Sequence, residues 1–299
     1  MQPENRRRRR KLPGPWWCGL AAVLLLTVAV ALLIWVPYAQ AKTSQALLTG
    51  AGFEVFMEPR GPAWFIDWLK SYTGLNRHVG SLFQTRFRAI RFVQEDESQP
   101  IPDLSLLRRI EGLSDLELFL VRVTASDIEH FQHLQSLEQL TLLNVVLTDE
   151  AVRLLSGFKK LDVLSLYECQ CDSLSQPLKL PLLYHLVLDG AGIGDKHLDL
   201  LLDGLPNLTM LHLERTKSTD AGLVHVHKLD KLEMILLNGS PITEHGLMQL
   251  ASLPSLISVA AWNTQITHEG AQKFVERVPK AMVHLGDDGK VYGAEYEPK

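Results

Sequence analysis

Cysteine is scarce. Cys18, Cys169 and Cys171 are the only three in 299 residues. Cys18 sits in the most apolar stretch, which leaves one close pair, and one pair is no disulfide framework. So few thiols say nothing about the redox compartment. Catalytic signatures are missing as well. There is no Walker loop, dinucleotide fingerprint, Gly-x-Ser-x-Gly elbow, His-Glu-x-x-His or Cys-x-x-Cys. Excess positive charge is concentrated in the first eleven residues, where Arg6–Arg10 and Lys11 face only Glu4 for a balance of +5. With a net charge of -4 overall, the rest of the chain carries -9. An acidic body excludes a general nucleic-acid binder, which needs lysine and arginine spread over a face.

Charge disappears altogether from Leu12 to Ala41. Within that stretch, Trp16 to Tyr38 is long enough to cross a hydrocarbon core, which takes about 20 helical residues. Trp16 and Trp17 at one end, and Trp35 and Tyr38 at the other, suit the two membrane interfaces. The basic block before the span places the N-terminus in the cytoplasm by the positive-inside rule. The expected organisation is a basic cytoplasmic segment at 1–14, a transmembrane signal-anchor helix at 15–38 and a juxtamembrane segment with an N-terminal cap at 39–88. A repeat domain at 89–285 and a polar tail at 286–299 follow, both on the non-cytoplasmic side. Cleavage near Ala41, at the small-x-small step Ala39-Gln40-Ala41, stays open and would leave a secreted or periplasmic product. Gly61 to Phe83, with Trp64, Phe65, Trp68 and Leu69, reads as an amphipathic helix. It seals the first repeat or lies on the lipid surface.

The remaining sequence repeats. The pattern L-x-x-L-x-L starts at Leu113 and returns at Leu137, Leu161, Leu183, Leu208, Leu232 and Leu256, in steps of 22 to 25 residues. The fourth position reads Leu116, Leu140, Leu164, Leu186, Leu211, Ile235 and Val259. The sixth reads Leu118, Leu142, Leu166, Leu188, Leu213, Leu237 and Ala261. Alternation in L-x-L makes this part a strand with its leucines inward. Apolar spacing farther on, as in Leu247, Leu250 and Leu253, is helical. A Thr-Asp step (Thr148-Asp149, Thr219-Asp220) sits where an N-cap is needed. No such unit can bury its own apolar face, and stacking supplies the core. A weaker unit fits at Ala89–Gly112, with Ile90 and Phe92 as strand and Leu104, Leu107 and Ile110 as helix. The 22-residue unit, with Pro177 where a helix interior should run, predicts an irregular segment.

These columns resemble the leucine-rich repeat family, specifically its ribonuclease-inhibitor-like and cysteine-containing subtypes. The anchor followed by a cap-like stretch is similar to small membrane-anchored leucine-rich repeat proteins of bacteria. The resemblance implies an α/β solenoid with a curved parallel sheet on its concave side and helices on its convex side. It also implies a small or polar residue after each strand that bonds the turn backbone. Here that column reads Val121, Val145, Cys169, Ala191, Thr216, Ser240 and Thr264, so Cys169 takes a structural place, with Cys171 beside it in an inward apolar column.

Candidate binding residues face outward from the strands at the third, fifth and seventh positions: Tyr167, His185, Asp189, Met210, His212, Glu214, Met234 and Trp262. Apolar and aromatic groups are plentiful there, which usually means a macromolecular partner. The expected partner is an unidentified protein or envelope macromolecule. Non-enzymatic binding through the concave face is the leading reading, and a structural envelope scaffold is the alternative. Asp189 and Glu214 are expected as close neighbours whose repulsion a cation or Arg215 would relieve. That pair also supports a remote alternative, hydrolysis by two carboxylates. No cofactor, metal or nucleic acid is expected. His225 and His227 imitate a metal pair, but they point about 200° apart on an α-helix.

Overall fold

The computed structural model describes residues 23, 25, 36, 38–59, 84–94, 100–171, 173–286 and 289–295. The expected membrane span at 15–38 and the cap helix at 61–83 lie outside them, apart from Val23, Leu25, Val36 and Tyr38. Among the described residues no helix is long and apolar enough to cross a membrane. The chain divides into two compact units, residues 1–43 with 58–85 and residues 44–57 with 86–299. The second holds the repeats.

The strands are β1 (Glu54–Pro59), β2 (Gln84–Val93), β3 (Asp115–Val123), β4 (Gln139–Leu147), β5 (Val163–Tyr167), β6 (Gln170–Cys171) and β7 (His185–Leu188). Then come β8 (Met210–His212), β9 (Met234–Leu236), β10 (Ser258–Ala260), β11 (Met282–His284) and β12 (Lys290–Tyr292). All but β6, which pairs with β4, lie in sequence order across one sheet. From β2 to β11 consecutive strands of that path are parallel, and the register follows the sequence columns. Leu116, Leu140, Leu164, Leu186, Leu211, Ile235 and Val259 stand side by side and are fully buried. Each removes its side chain from water for about 1.5–3 kcal/mol, set against the entropy of ordering the chain. Parallel strands one repeat apart with a shared apolar core make a repeat solenoid.

The return segments are helical where a cap is present. Helices run over Ala125–Phe131, Asp149–Leu155, Asp195–Leu202, Asp220–Leu223, Glu244–Gln249 and His268–Arg277. The Thr148, Thr219, Thr243 and Thr267 hydroxyls accept from amides in their own first turns. The acidic first residue of a helix does a second job. Thr219 donates its amide and hydroxyl to the Asp195 carboxylate at 2.6 and 2.7 Å. Thr243 donates the same pair to Asp220 at 2.9 and 2.5 Å, and the Thr267 hydroxyl donates to Glu244. Each carboxylate thus fastens the cap of the next unit.

That ladder dictates the third helical residue. A Cβ on Gly222 would lie 2.5 Å from Asp195 Oδ1, one on Gly246 2.2 Å from Asp220 Oδ1, and one on Gly270 2.4 Å from Glu244 Cδ. Glycine stands at this place in the three helices whose predecessor supplies the carboxylate from its first helical residue; Asp149 likewise holds Ser175, but no helix follows there. Ala151 is tolerated in the helix Asp149–Leu155, where the preceding unit has Ala125 at that point.

A second column lies at or just past the ends of the L-x-L strands. Asn144, Glu168, Gly190, Arg215, Gly239 and Asn263 all have φ between 52° and 115°. The chain turns there in the left-handed region, where glycine and asparagine are at ease and other residues are strained by about 1–3 kcal/mol. Glu168 and Arg215 bear that strain.

The turn column behaves as the resemblance implies at three positions. Cys169 Sγ, Thr216 Oγ1 and Thr264 Oγ1 each donate to the carbonyl three residues back, at 3.3, 3.3 and 2.9 Å. Ser240 instead donates to Leu213 of the preceding unit at 2.7 Å. Burial pushes the Cys169 thiol far above its usual range, and Asp189 adds to the shift. Cys171 is also buried.

Three segments differ from expectation or refine it. The 22-residue unit is irregular, with no helix among its described residues between β6 and β7. Leu104–Arg109 and Val224–Lys228 form 3-10 rather than α-helix. The segment expected as a polar tail, 286–299, contains β12, which pairs antiparallel with β11. Buried Val291 holds it there, and Gly286 and Gly289, at φ 77° and 104°, shape the tight return that a repeat count does not reveal.

Candidate functional site

Outward residues form three columns on the sheet. His185, Met210, Met234, Ser258 and Met282 make one, and Val187, His212, Leu236, Ala260 and His284 make the next. Phe119, Leu143 and Tyr167 begin the third. The face is polar at its β2–β3 end, where Arg91 Nε meets Glu117 at 3.2 Å and the guanidinium covers the Phe119 ring at 5.3 Å. Toward β11 it turns apolar and aromatic. Met210, Met234 and Leu236 are half-buried, and Trp262 is 44% exposed. Trp262 meets His284 edge to face, with ring centres 4.8 Å apart. Sequence reading missed His284 as part of this surface, although the alternation of Met282-Val283-His284 continues the columns one step further.

Between the two ends runs a chain of polar groups. The Trp262 amide donates to Asn238 Oδ1 at 2.8 Å, and Asn238 Nδ2 donates to Glu214 Oε1 at 2.6 Å. Glu214 Oε2 faces His212 Nδ1 at 3.6 Å, too long for a hydrogen bond but close enough to favour a proton on that nitrogen. His212 Nε2 then meets His185 Nε2 at 3.2 Å. His185 belongs to one column and His212 to the next, so the rings meet diagonally across β7 and β8, with centres 4.8 Å apart. Burial lowers the pKa of both rings from 6.5. On His185 the neighbouring His212 adds to the drop, and on His212 the Glu214 carboxylate opposes it without reversing it. Both are neutral at pH 7. With Nδ1–H on His212, its Nε2 accepts from His185 Nε2–H. Asn238 was not among the sequence candidates. Its place in the seventh column was the available signal.

Tyr167, His185, Met210, His212, Glu214 and Met234 are all half-buried on the face as expected, and Trp262 is exposed. Asp189 departs from expectation. It is only 4% exposed, and Arg215 covers it, donating from Nε at 3.1 Å and Nη2 at 2.6 Å. The cause lies in the left-handed turn: strand alternation ends at Asp189, and Arg215, in that column one unit on, lays its guanidinium over the carboxylate. The pairing raises the Arg215 pKa. Arg215 therefore supplies the compensation that the two carboxylates required, and Asp189 is no open catalytic group. Arg215→Ala is expected to cost about 1–3 kcal/mol, the range for a buried group that loses charge-assisted hydrogen bonds. Urea unfolding of the two proteins measures it.

The His-x-His pair does not converge. His225 Nδ1 meets Asp199 Oδ1 at 3.1 Å, whereas His227 Nδ1 turns to the Val224 carbonyl. Among the described residues no group of three or more His, Cys, Asp or Glu side chains is placed to hold a metal ion.

The strand register and the outward columns define an α/β solenoid of leucine-bearing repeats with an amphipathic sheet face. No protein-family model matches the chain, and no curated protein does. Among solved structures the chain is similar to an internalin from Listeria monocytogenes, at 18% identity over 77% of this chain with a TM-score of 0.45. It spans 65% of that internalin chain. The fold assignment rests on the register and not on that likeness.

Proposed function

We propose that this chain is a membrane-anchored binding protein of the ribonuclease-inhibitor-like leucine-rich repeat type. Its sheet face takes up another protein, or an envelope macromolecule, on the non-cytoplasmic side. One observation carries the reading: half-exposed Leu143, Tyr167, Met210, Met234 and Leu236 and exposed Trp262 lie along the columns of one rigid sheet. Apolar surface on preorganised strands binds at little ordering cost, and aromatic side chains dominate such interfaces. The anchor is the uncharged stretch at 15–38. No catalytic step is proposed, because Asp189 is buried beneath Arg215.

The test is proximity labelling from a C-terminal fusion, comparing the native chain with the Tyr167→Ala/Trp262→Ala double variant. The expected result is a set of non-cytoplasmic proteins whose labelling falls at least about tenfold in the variant, as for loss of two interface anchors. Its melting temperature should move by no more than a few degrees, since neither ring is core. Labelling of the same set by both chains sinks the face assignment, and cytoplasmic labelling sinks the topology.

A further inference from the structure

We propose that His185, His212 and Met210 form a binding site for a single cuprous ion. The two imidazole Nε2 atoms are 3.2 Å apart on adjacent strands. Two nitrogens bound to one tetrahedral ion at about 2.0–2.1 Å are about 3.3 Å apart, so an ion can take the place of this hydrogen bond once the His185 proton moves from Nε2 to Nδ1 and the rings tilt toward it. His212 carries the outer support that metal-binding histidines usually have, with its Nδ1 facing Glu214 and Glu214 held in turn by Asn238.

The third donor settles which ion. Met210 is the register partner of His185 and lies two residues before His212, on the same face of β8. Met234 follows in the same column on β9. Nitrogen with thioether sulfur is a soft donor set, and it selects monovalent copper over zinc, magnesium or calcium. No acidic ligand is needed, which fits an ion of single charge. The site goes beyond the protein-binding reading and does not depend on it.

The test is an anaerobic titration of the full chain with Cu(I) against bicinchoninate as a chromophoric competitor. The chain is expected to withdraw one equivalent. His185→Gln and His212→Gln should each weaken retention by about 100-fold, and Glu214→Gln by about 10-fold, the range for loss of outer support. Met210→Leu should weaken Cu(I) by about 10-fold while changing Zn(II) binding less than twofold, since only the softer ion gains from the thioether. The His225→Gln/His227→Gln variant should bind as the native chain does. Copper kept by the His185→Gln/His212→Gln double variant overturns the proposal, as does failure of the native chain to take copper from the competitor. An unchanged Cu(I) affinity in Met210→Leu overturns the cuprous assignment. Matching circular dichroism melts establish that each variant is folded. Because no protein partner enters the titration, a negative result leaves the sheet-face reading standing.

Discussion

Gly246→Ala is expected to destabilise the domain by about 2–4 kcal/mol, although the same change inside an ordinary exposed helix stabilises by up to about 1 kcal/mol. The reversal comes mainly from the Asp220 carboxylate, with Ile242 Cγ2 at 3.0 Å as a lesser contact. The new methyl carbon would lie 2.2 Å from Asp220 Oδ1. That carboxylate would have to leave, and it accepts both the amide and the hydroxyl of Thr243. Hydrogen bonds to a charged group contribute about 1.5–3 kcal/mol each. Urea denaturation of single and double variants checks the mechanism. Asp220→Ala alone loses the two bonds. Adding Gly246→Ala to it should then cost nothing, or return part of the helix propensity, because the obstacle is gone. Simple additivity of the two changes would show that the clash does not govern this position.

Phe158→Ala is expected to cost about 3–5 kcal/mol, the usual range for removing a large aromatic from a packed core. Phe158 is 1% exposed and stacks on Phe131 of the preceding unit, with ring centres 6.1 Å apart and planes 19° from parallel. Two neighbouring units share this contact, so the cavity weakens a joint between units as well as one unit's interior. For a folded region of this size the loss corresponds to a fall in melting temperature of roughly 6–20 °C. Since each repeat touches only its neighbours, the unfolding transition should also broaden. A calorimetric scan reads both effects. A shift below about 3 °C would mean that the void closes by relaxation.

Much of this was legible in the sequence, for a physical reason. The sheet columns depend on a period-two alternation and a constant repeat length, and both are visible in Leu164 and Leu166 or in Leu211 and Leu213. The carboxylate ladder was half visible. A Thr-Asp pair announces a cap, yet nothing local says that Asp195 serves Thr219 of the next unit. Only the recurrence of glycine two residues beyond the acid carried that information, in Gly222 and Gly246. At the site, placing His185 and His212 on neighbouring strands predicted their proximity. The burial of Asp189 was not legible, because it depends on the left-handed turn at Arg215 that lays a guanidinium over the carboxylate. Arg215 gave no sign of such a turn, since arginine is not a residue that prefers it. The closing strand escaped because it breaks the repeat that revealed the others.

That last strand bears on how the molecule avoids its own copies. A parallel stack that stops at β11 would present an unsatisfied row of amides and carbonyls in the geometry that another stack requires. β12 runs the opposite way and is three residues long, with Lys290 at its start. A reversed, short, charged border is a poor template for further strand addition. The β11–β12 hairpin thus works as a terminator, closing that edge of the sheet to further strands.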